Sequence, residues 1–161
     1  MGRIDKENYY LDIAQTVAGR STCLRRCYGA ILVKSDEIIS TGYNGAPRGR
    51  RNCVDLSYCT REALNIPSGE RYELCRSVHA EANAIISASR RDMVGGTLYL
   101  VGRNAQTGEL LTDATSCPMC RRMVINAGLS RVVIRRTPEE FTVVDVEEWV
   151  RTDDLALPEK I

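Results

Sequence analysis

The sequence predicts an α/β domain with a mixed β-sheet that carries helices on both faces. Two apolar runs at residues 29–33 and 38–43, separated by a polar turn at 36–37, are typical of a β-hairpin. After this hairpin, helical and strand patterns alternate, which is typical of strands joined by crossover helices. The 161 residues are 43% hydrophobic and 27% charged, a length and composition that suit one globular domain.

The N-terminal region predicts one helix before the hairpin. We expect it over residues 5–18, because Asp5 suits an N-cap position and apolar residues follow at i, i+3, i+4 and i+7. Gly19 is a natural end for this helix.

A long connection follows the hairpin. The sequence Asn-Gly-Ala-Pro at 44–47 predicts a turn. Residues 46–77 then show little periodicity, with short helices expected near 60–64 and 69–76. Connections of this length are uncommon in compact domains and are usually functional or fixed by other contacts.

The C-terminal half predicts two further helices between strands. The first begins at His79 and ends before the glycines at 95–96, and the second begins at Cys117 and ends at Gly128. Their expected buried residues are Ala82, Ile85, Ile86, Ser89, Met123, Val124 and Ala127. The remaining predicted elements are strands at 97–101, 131–135 and 141–144, a helix at 145–151 and a polar tail.

Composition excludes several classes of protein. A net charge of +1 gives no overall electrostatic reason to expect nucleic-acid or membrane binding. No apolar run approaches the length that spans a bilayer. Residues 1–7 are charged and lack the apolar core of a signal peptide, so we predict a cytoplasmic protein. In a reducing compartment, seven cysteines indicate metal binding more than disulfides.

Two short motifs carry the chemistry. His79 is the only histidine of the chain, and Glu81 follows two residues later. Cys117 and Cys120 are three residues apart, so a helix places them on one face. One imidazole and two thiolates are typical protein ligands of a catalytic zinc that leaves one position open. A nearby glutamate that is not a ligand completes the zinc-deaminase signature.

Both motifs have the features of helix starts. On a helix, residues two apart point to different sides, so His79 and Glu81 can serve one site only in the first turn. Cys117 suits an N-cap position with Pro118 at the first helical residue. Helix N-termini favour thiolate and hydroxide through their exposed N–H groups. The alternative is a core histidine and two inert buried cysteines.

Five motifs then resemble one family, the deoxycytidylate deaminases of the cytidine deaminase superfamily. They are RSTCLRR (20–26), GAILV (29–33), STGYNGAP (40–47), HAEANAI (79–85) and CPMC (117–120) with NAG (126–128). The resemblance covers residues 8–136. It implies a cytidine-deaminase-like three-layer α/β/α fold with a five-stranded mixed sheet, in one domain over 1–161. Residues 46–77 would then be a zinc-tied insertion, and residues 137–161 a C-terminal extension.

The resemblance also implies a reaction, the zinc-dependent hydrolysis of dCMP to dUMP and ammonia. His79, Cys117 and Cys120 would hold zinc, which lowers the pKa of bound water from ~16 toward ~7. Glu81 would act as a proton shuttle while zinc-bound hydroxide attacks C4 of the base.

The same resemblance suggests substrate contacts. Backbone groups of Ala80 and Ser116 would hold the base edge, and Asn44 would contact the sugar or base. The alternative for Asn44 is an ordinary turn residue. Arginine suits phosphate because it offers paired, charge-assisted donors. Arg26 is the preferred candidate, although it could equally be a solvated surface charge. The further candidates are Arg20, Arg25 and Arg48, with hydroxyl donors from Ser21 and Thr22.

Some family members carry a second, structural zinc near the hairpin. Cys23 and Cys53 match the positions of its ligands, and Cys59 and Cys75 would complete four thiolates, a closed coordination typical of structural zinc. Their spacing is not a regular zinc-ribbon pattern, and the alternative is four unlinked thiols.

Three other functions stay open from the residues alone. They are deamination of another cytosine nucleotide, deamination of a nucleic-acid base, and a non-catalytic, zinc-stabilised accessory role. Glu81 argues against the last, because a structural zinc site does not need that carboxylate. The resemblance further implies a homo-oligomer, commonly a hexamer, that dCTP activates and dTTP inhibits. We expect no membrane or nucleic-acid partner.

Overall fold

The computed structural model describes residues 2–152, so the predicted polar tail lies outside the described residues. Within that range the α-helices are α1 (Lys6–Ala18), α2 (Cys53–Leu56), α3 (Thr60–Ala63), α4 (Ala80–Ile86), α5 (Arg90–Met93), α6 (Pro118–Asn126) and α7 (Val146–Thr152). A 3-10 turn spans Tyr72–Leu74. The strands are β1 (Arg26–Lys34), β2 (Glu37–Tyr43), β3 (Thr97–Asn104), β4 (Arg131–Arg135) and β5 (Phe141–Asp145).

The strands form one mixed sheet in the order β2-β1-β3-β4-β5. The β3–β4 pair is parallel and the other three pairs are antiparallel, which confirms the predicted mixed sheet. β1 and β2 form the predicted hairpin. The turn lies at Ser35 and Asp36, one residue before the predicted 36–37, because Glu37 already begins β2. Both turn residues have positive φ, as a tight hairpin turn with the twist of the strands requires.

Both faces of the sheet are covered by helices. On one face α1 packs over a cluster that includes Leu11, Ile31 and Val133. On the other face α4, α5, α6 and α7 contribute to a second cluster, which includes Leu32 and Ile134. Successive residues of the strands therefore enter opposite cores, which explains why the central strands are continuously apolar in sequence.

Helix α1 begins as predicted. The Asp5 carboxylate accepts a hydrogen bond from the Asn8 backbone N–H at 2.9 Å. The helix lies very close to β1 at Gly29, where a Cβ atom would lie 2.1 Å from the carbonyl oxygen of Ala14. Only glycine permits this approach.

The single helix predicted after His79 is wrong, because the chain forms two short helices there. α4 ends at Ile86, and Ser89 then caps α5 by accepting a hydrogen bond from the Asp92 N–H. The predicted buried face is partly wrong for the same reason. Ile86 is 71% exposed and Ser89 is exposed, while Ile85 is half-buried. Of the residues expected in the core from α6, Val124 and Ala127 are buried and Met123 is half-buried.

The 46–77 segment contains more structure than its sequence indicates. The helix expected at 60–64 is present as α3, whereas the one expected at 69–76 is reduced to the 3-10 turn. α2 has no predicted counterpart. It is stabilised by the Asp55 carboxylate, which accepts a hydrogen bond from the Asn52 N–H at 3.0 Å. No helix in the described part of the chain is long and apolar enough to cross a membrane.

Candidate active site

Two helix N-termini meet on one side of the sheet. His79 is the N-cap of α4, and Cys117 is the N-cap of α6 with Pro118 in its first turn, as predicted. The imidazole Nδ1 of His79 lies 3.5 Å from Sγ of Cys117 and 3.4 Å from Sγ of Cys120. The fold thus brings together three side chains that are far apart in sequence.

These three side chains fit a zinc ion. Among residues 2–152 they form the only group of three potential ligands whose donor atoms all lie within 4.8 Å of one another. Bond lengths of about 2.3 Å to sulfur and 2.0 Å to nitrogen place neighbouring ligands of a tetrahedral zinc roughly 3.5 Å apart. The observed nitrogen–sulfur separations match this value.

Contacts around the β2 end fix the position of His79. Gly45 and Val78 exchange backbone hydrogen bonds of 2.7 and 3.2 Å, so the residue before His79 is tied to the turn after β2. The Asn83 side chain donates to the Tyr43 carbonyl at 2.8 Å. At Gly42 the strand nearly touches α4, because a Cβ there would lie 2.4 Å from backbone atoms of that helix.

Glu81 lies in the first turn of α4 and is 4% exposed. Burial raises the pKa of its carboxyl group, while a hydrogen bond from its own backbone N–H and the positive charge of His79 partly oppose the shift. A carboxyl group with a raised pKa exchanges protons more readily near neutral pH. Glu81 therefore has the environment of a general acid–base group.

Hydrogen bonds among the zinc-ligand side chains shift their pKa values. A hydrogen bond from Cys120 is the main reason that the pKa of Cys117 is lowered to about 4, and the same contact raises the pKa of Cys120. Burial alone would lower the pKa of His79, but hydrogen bonds to Cys117 and Cys75 and the charge of Glu81 raise it to about 10. These shifts show how closely the three side chains interact, as the ligands of one metal ion must.

A cleft opens beside these groups. It encloses about 760 Å³, part of which is open to solvent, and His79, Glu81 and Cys117 lie on its wall. Of the predicted substrate contacts, Arg26, Asn44 and Ala80 line the cleft, whereas Thr22 and Ser116 do not. Ser116 is fully buried, and its carbonyl accepts a hydrogen bond from Arg121 Nε at 3.0 Å.

Asn44 joins several parts of the site. Its Oδ1 accepts hydrogen bonds from Ser21 Oγ at 2.6 Å and from the Tyr28 N–H at 2.9 Å. Its Nδ2 donates to the Arg26 carbonyl at 2.8 Å. Asn44 therefore holds the loop before β1 against the start of that strand, and it also faces the cleft.

The four arginines proposed for phosphate differ in their surroundings. Arg25 lines the cleft but forms an ion pair of 2.8 Å with Glu62. Arg26 lines the cleft and is exposed. Arg20 and Arg48 are exposed and lie outside the cleft lining.

The 46–77 segment supplies cleft residues that the sequence did not identify, among them Arg61 and Tyr72. No motif or spacing marks them. The only signal was the length of the connection, which indicated a functional segment without naming its residues.

The four cysteines predicted to bind a second metal lie in or near the cleft. Cys23, Cys59 and Cys75 line the cleft, and Cys53 is buried. In the part of the chain that the structure describes, no three of these sulfurs lie as close together as the ligand atoms at His79. The closed coordination by these four cysteines therefore stays a prediction.

Comparison with known proteins places the chain in a family. Residues 4–136 match the model of the cytidine and deoxycytidylate deaminase zinc-binding region. The deoxycytidylate deaminase of Mycobacterium phage D29 is 36% identical over 138 residues, which cover 83% of this chain and 96% of that protein. The enzyme of the same name from Schizosaccharomyces pombe is 34% identical over 79% of this chain, which spans only 36% of the longer yeast protein.

A solved structure gives the same result. The dCMP deaminase of cyanophage S-TIM5, crystallised with dCMP and dUMP, superposes with a TM-score of 0.56 at 26% identity. The alignment covers 83% of this chain and 84% of the phage protein. With the His–Cys–Cys group in place and the family model matching most of its length, the chain belongs to the zinc-dependent cytidine and deoxycytidylate deaminase family.

Proposed function

We propose that this protein hydrolyses dCMP to dUMP and ammonia. The observation that carries the proposal is the buried carboxylate of Glu81 beside the His79–Cys117–Cys120 group, at the wall of an open cleft. The names of the D29 and S-TIM5 relatives, together with the dCMP and dUMP bound to the latter, support dCMP as the substrate.

Zinc held by His79, Cys117 and Cys120 would supply a Lewis acid that makes hydroxide available at neutral pH. The part played by the chain is proton transfer. Glu81 accepts a proton from the attacking water, delivers it to N3 of the cytosine ring and then assists protonation of the leaving amine. Its raised pKa suits both directions of transfer, because the carboxyl group must take up and release a proton in each cycle.

Cleft residues account for the seating of the substrate in this proposal. Ala80 lies beside Glu81 and offers backbone groups to the base edge, and Asn44 faces the same space. Ser116 and Thr22 are not part of the cleft lining, so their proposed part is to support its shape. Arg26 is exposed at the cleft and suits the phosphate end of the nucleotide.

The test is ammonia release from dCMP, CMP, dCTP, deoxycytidine and a cytosine-containing oligonucleotide, with the zinc content measured in parallel. Glu81→Gln should keep zinc and fold but lose about 10²- to 10⁴-fold in kcat. The exposed Glu109→Gln serves as the matched control and should keep the parental rate. A zinc-loaded protein that releases no ammonia from any of these compounds would refute the proposal and favour an accessory role.

A second, structural zinc at Cys23, Cys53, Cys59 and Cys75 stays part of the proposal. Burial raises the pKa of Cys53, and the other three thiols act in the same direction, which supports their being neighbours. Binding would draw the sulfurs closer together. Metal analysis of the purified protein should give two zinc ions per chain, and a value of one would remove the second site.

Assembly and regulation are proposed from the family resemblance alone. Size-exclusion chromatography with light scattering should give a homo-oligomer, and a hexamer is expected. Adding dCTP should raise the rate and dTTP should lower it. A monomer whose rate responds to neither nucleotide would contradict both expectations.

A further inference from the structure

The 46–77 segment places a nearly buried cation on the wall of the cleft. Arg61, in α3, is 6% exposed, yet it lines the same cleft as His79 and Glu81. Arginine is almost never this buried unless its charge is paired. The groups around its guanidinium therefore decide whether its charge is compensated.

Within residues 2–152, Arg61 makes hydrogen bonds and a ring contact to uncharged groups, and its charge also acts on the nearby Cys75 thiol. Nε donates to the Glu70 carbonyl at 3.0 Å, and Nη2 donates to the Pro67 carbonyl at 3.3 Å. The flat face of the guanidinium lies over the ring of Tyr72, with Cζ 4.4 Å from the ring centroid. These contacts fix its orientation but leave its charge without a carboxylate partner in the described part of the chain.

Neither of the other two arginines in the cleft wall, Arg25 and Arg26, is both buried and without a charged partner. Arg25 is already paired with Glu62. Arg26 is exposed, so water solvates its charge. A buried cation without a carboxylate partner is costly, and an anionic ligand that enters the cleft would reduce that cost.

The location of Arg61 relative to the zinc ligands suits a nucleotide. Tyr72, on which the guanidinium lies, meets the His79 ring edge-on with the centroids 5.1 Å apart. The guanidinium is therefore separated from a zinc ligand by one aromatic ring. A ligand whose base reaches Glu81 can place an anionic group at the Arg61 end of the same cleft.

We propose that Arg61 binds the phosphate group of the substrate and is the residue of the 46–77 segment that selects a nucleotide over a nucleoside. This inference rests on the proposed deaminase function and adds, beside the exposed Arg26, a phosphate contact from a residue outside the family motifs. The guanidinium is held ready by Glu70, Pro67 and Tyr72, and its nitrogen Nη1, which makes no hydrogen bond in residues 2–152, remains for the ligand.

The experiment compares kcat/KM for dCMP and for deoxycytidine in the zinc-loaded parent and in Arg61→Gln. The ratio of the two values does not depend on the fraction of active enzyme, so partial misfolding does not imitate the expected result. We expect the ratio to fall about 10- to 100-fold, since one charge-assisted contact is lost. Arg91→Gln, an exposed arginine of α5, is the matched control and should leave the ratio within about twofold of the parental value.

Two further measurements keep the result decisive. Arg61→Lys keeps the positive charge but cannot hydrogen bond to both carbonyls at once, so it should lower the ratio less than Arg61→Gln. If the glutamine variant does not fold, the lysine variant alone tests the proposal. Calorimetric binding of dUMP and deoxyuridine needs no turnover, so it separates failure of this inference from failure of the deaminase proposal. An unchanged ratio in both variants, or equal affinity of the parent for dUMP and deoxyuridine, would overturn the role of Arg61.

Discussion

Gly42 offers a test of how packing positions the zinc ligands. It lies in β2 against the first turns of α4, where an added Cβ would be 2.4 Å from the Ala80 carbonyl oxygen and from the Ala84 backbone nitrogen. Both are backbone atoms, so no flexible side chain can move aside. In Gly42→Ala the helix must withdraw by about 0.6 Å to reach even the shortest contact of 3.0 Å that real Cβ atoms show.

The expected magnitudes follow from this displacement. Overpacking of this kind costs about 1–3 kcal/mol of the free energy of unfolding. For a domain of this size, each kcal/mol lowers Tm by about 2–4 °C, so a fall of roughly 2–12 °C is expected. Because α4 carries both His79 and Glu81 at its start, the same shift misaligns the site. A misplacement of 1 Å can cost about 10²-fold in rate, so kcat/KM should fall at least about tenfold.

Thermal unfolding and dCMP turnover are measured on Gly42→Ala and on Gly2→Ala. No atom lies within 4 Å of a Cβ placed at Gly2, so that variant is the control and should match the parent in both assays. If Gly42→Ala keeps the parental Tm and rate, the close approach of β2 to α4 does not position the site, and the reasoning is wrong.

Two other predictions concern hydrogen bonds. Asn44→Ala leaves three partners of the amide unsatisfied, so we expect urea unfolding to show a loss of about 2–4 kcal/mol, against less than about 0.5 kcal/mol for the exposed Asn126→Ala. Equal losses of stability in the two variants would contradict this structural role of Asn44. Burial and a hydrogen bond to Asp36 raise the pKa of Tyr10 from 10.0 to about 12. The stability that this shift provides is fully present below the pKa of Tyr10 in the unfolded chain, and it is lost as pH rises through the pKa in the folded protein. The free energy of unfolding of the parent should therefore exceed that of Tyr10→Phe by an amount that shrinks from about pH 9 to about pH 12. A difference independent of pH would refute this coupling.

The sheet was predictable because its signals are local. The run from Gly29 to Val33 is apolar on both faces since α1 covers one side and α4 the other, and the turn at 35–36 needs only short polar residues. The break between α4 and α5 was not predictable in the same way. Alanine, isoleucine and serine continue a helical pattern through residues 84–89, yet α4 ends at Ile86 and Ser89 caps a separate helix, α5.

The zinc ligands were predictable for a different reason, which is the rarity of their chemistry. One histidine and a Cys-x-x-Cys pair leave few combinations, and the helix-start signals place them in first turns. Arg61 carries no such signal. It lies close to Tyr72 and His79 only because of the path that the long 46–77 connection takes, and the sequence of that connection has no periodicity from which the path could be predicted. Pattern can indicate that such a segment has a purpose, but only the folded path shows which side chains reach the cleft.

The two alternatives for Asn44, a turn residue and a substrate contact, are compatible once its hydrogen bonds are counted. An asparagine amide has two acceptor positions on its oxygen and two hydrogens on its nitrogen. Ser21 and Tyr28 occupy both acceptor positions, and the Arg26 carbonyl takes one hydrogen. One N–H remains for a ligand in the cleft. Asn44 can therefore recognise only an acceptor, such as a sugar oxygen or the O2 carbonyl of cytosine, and it cannot accept a hydrogen bond from the exocyclic amine that is lost in the reaction.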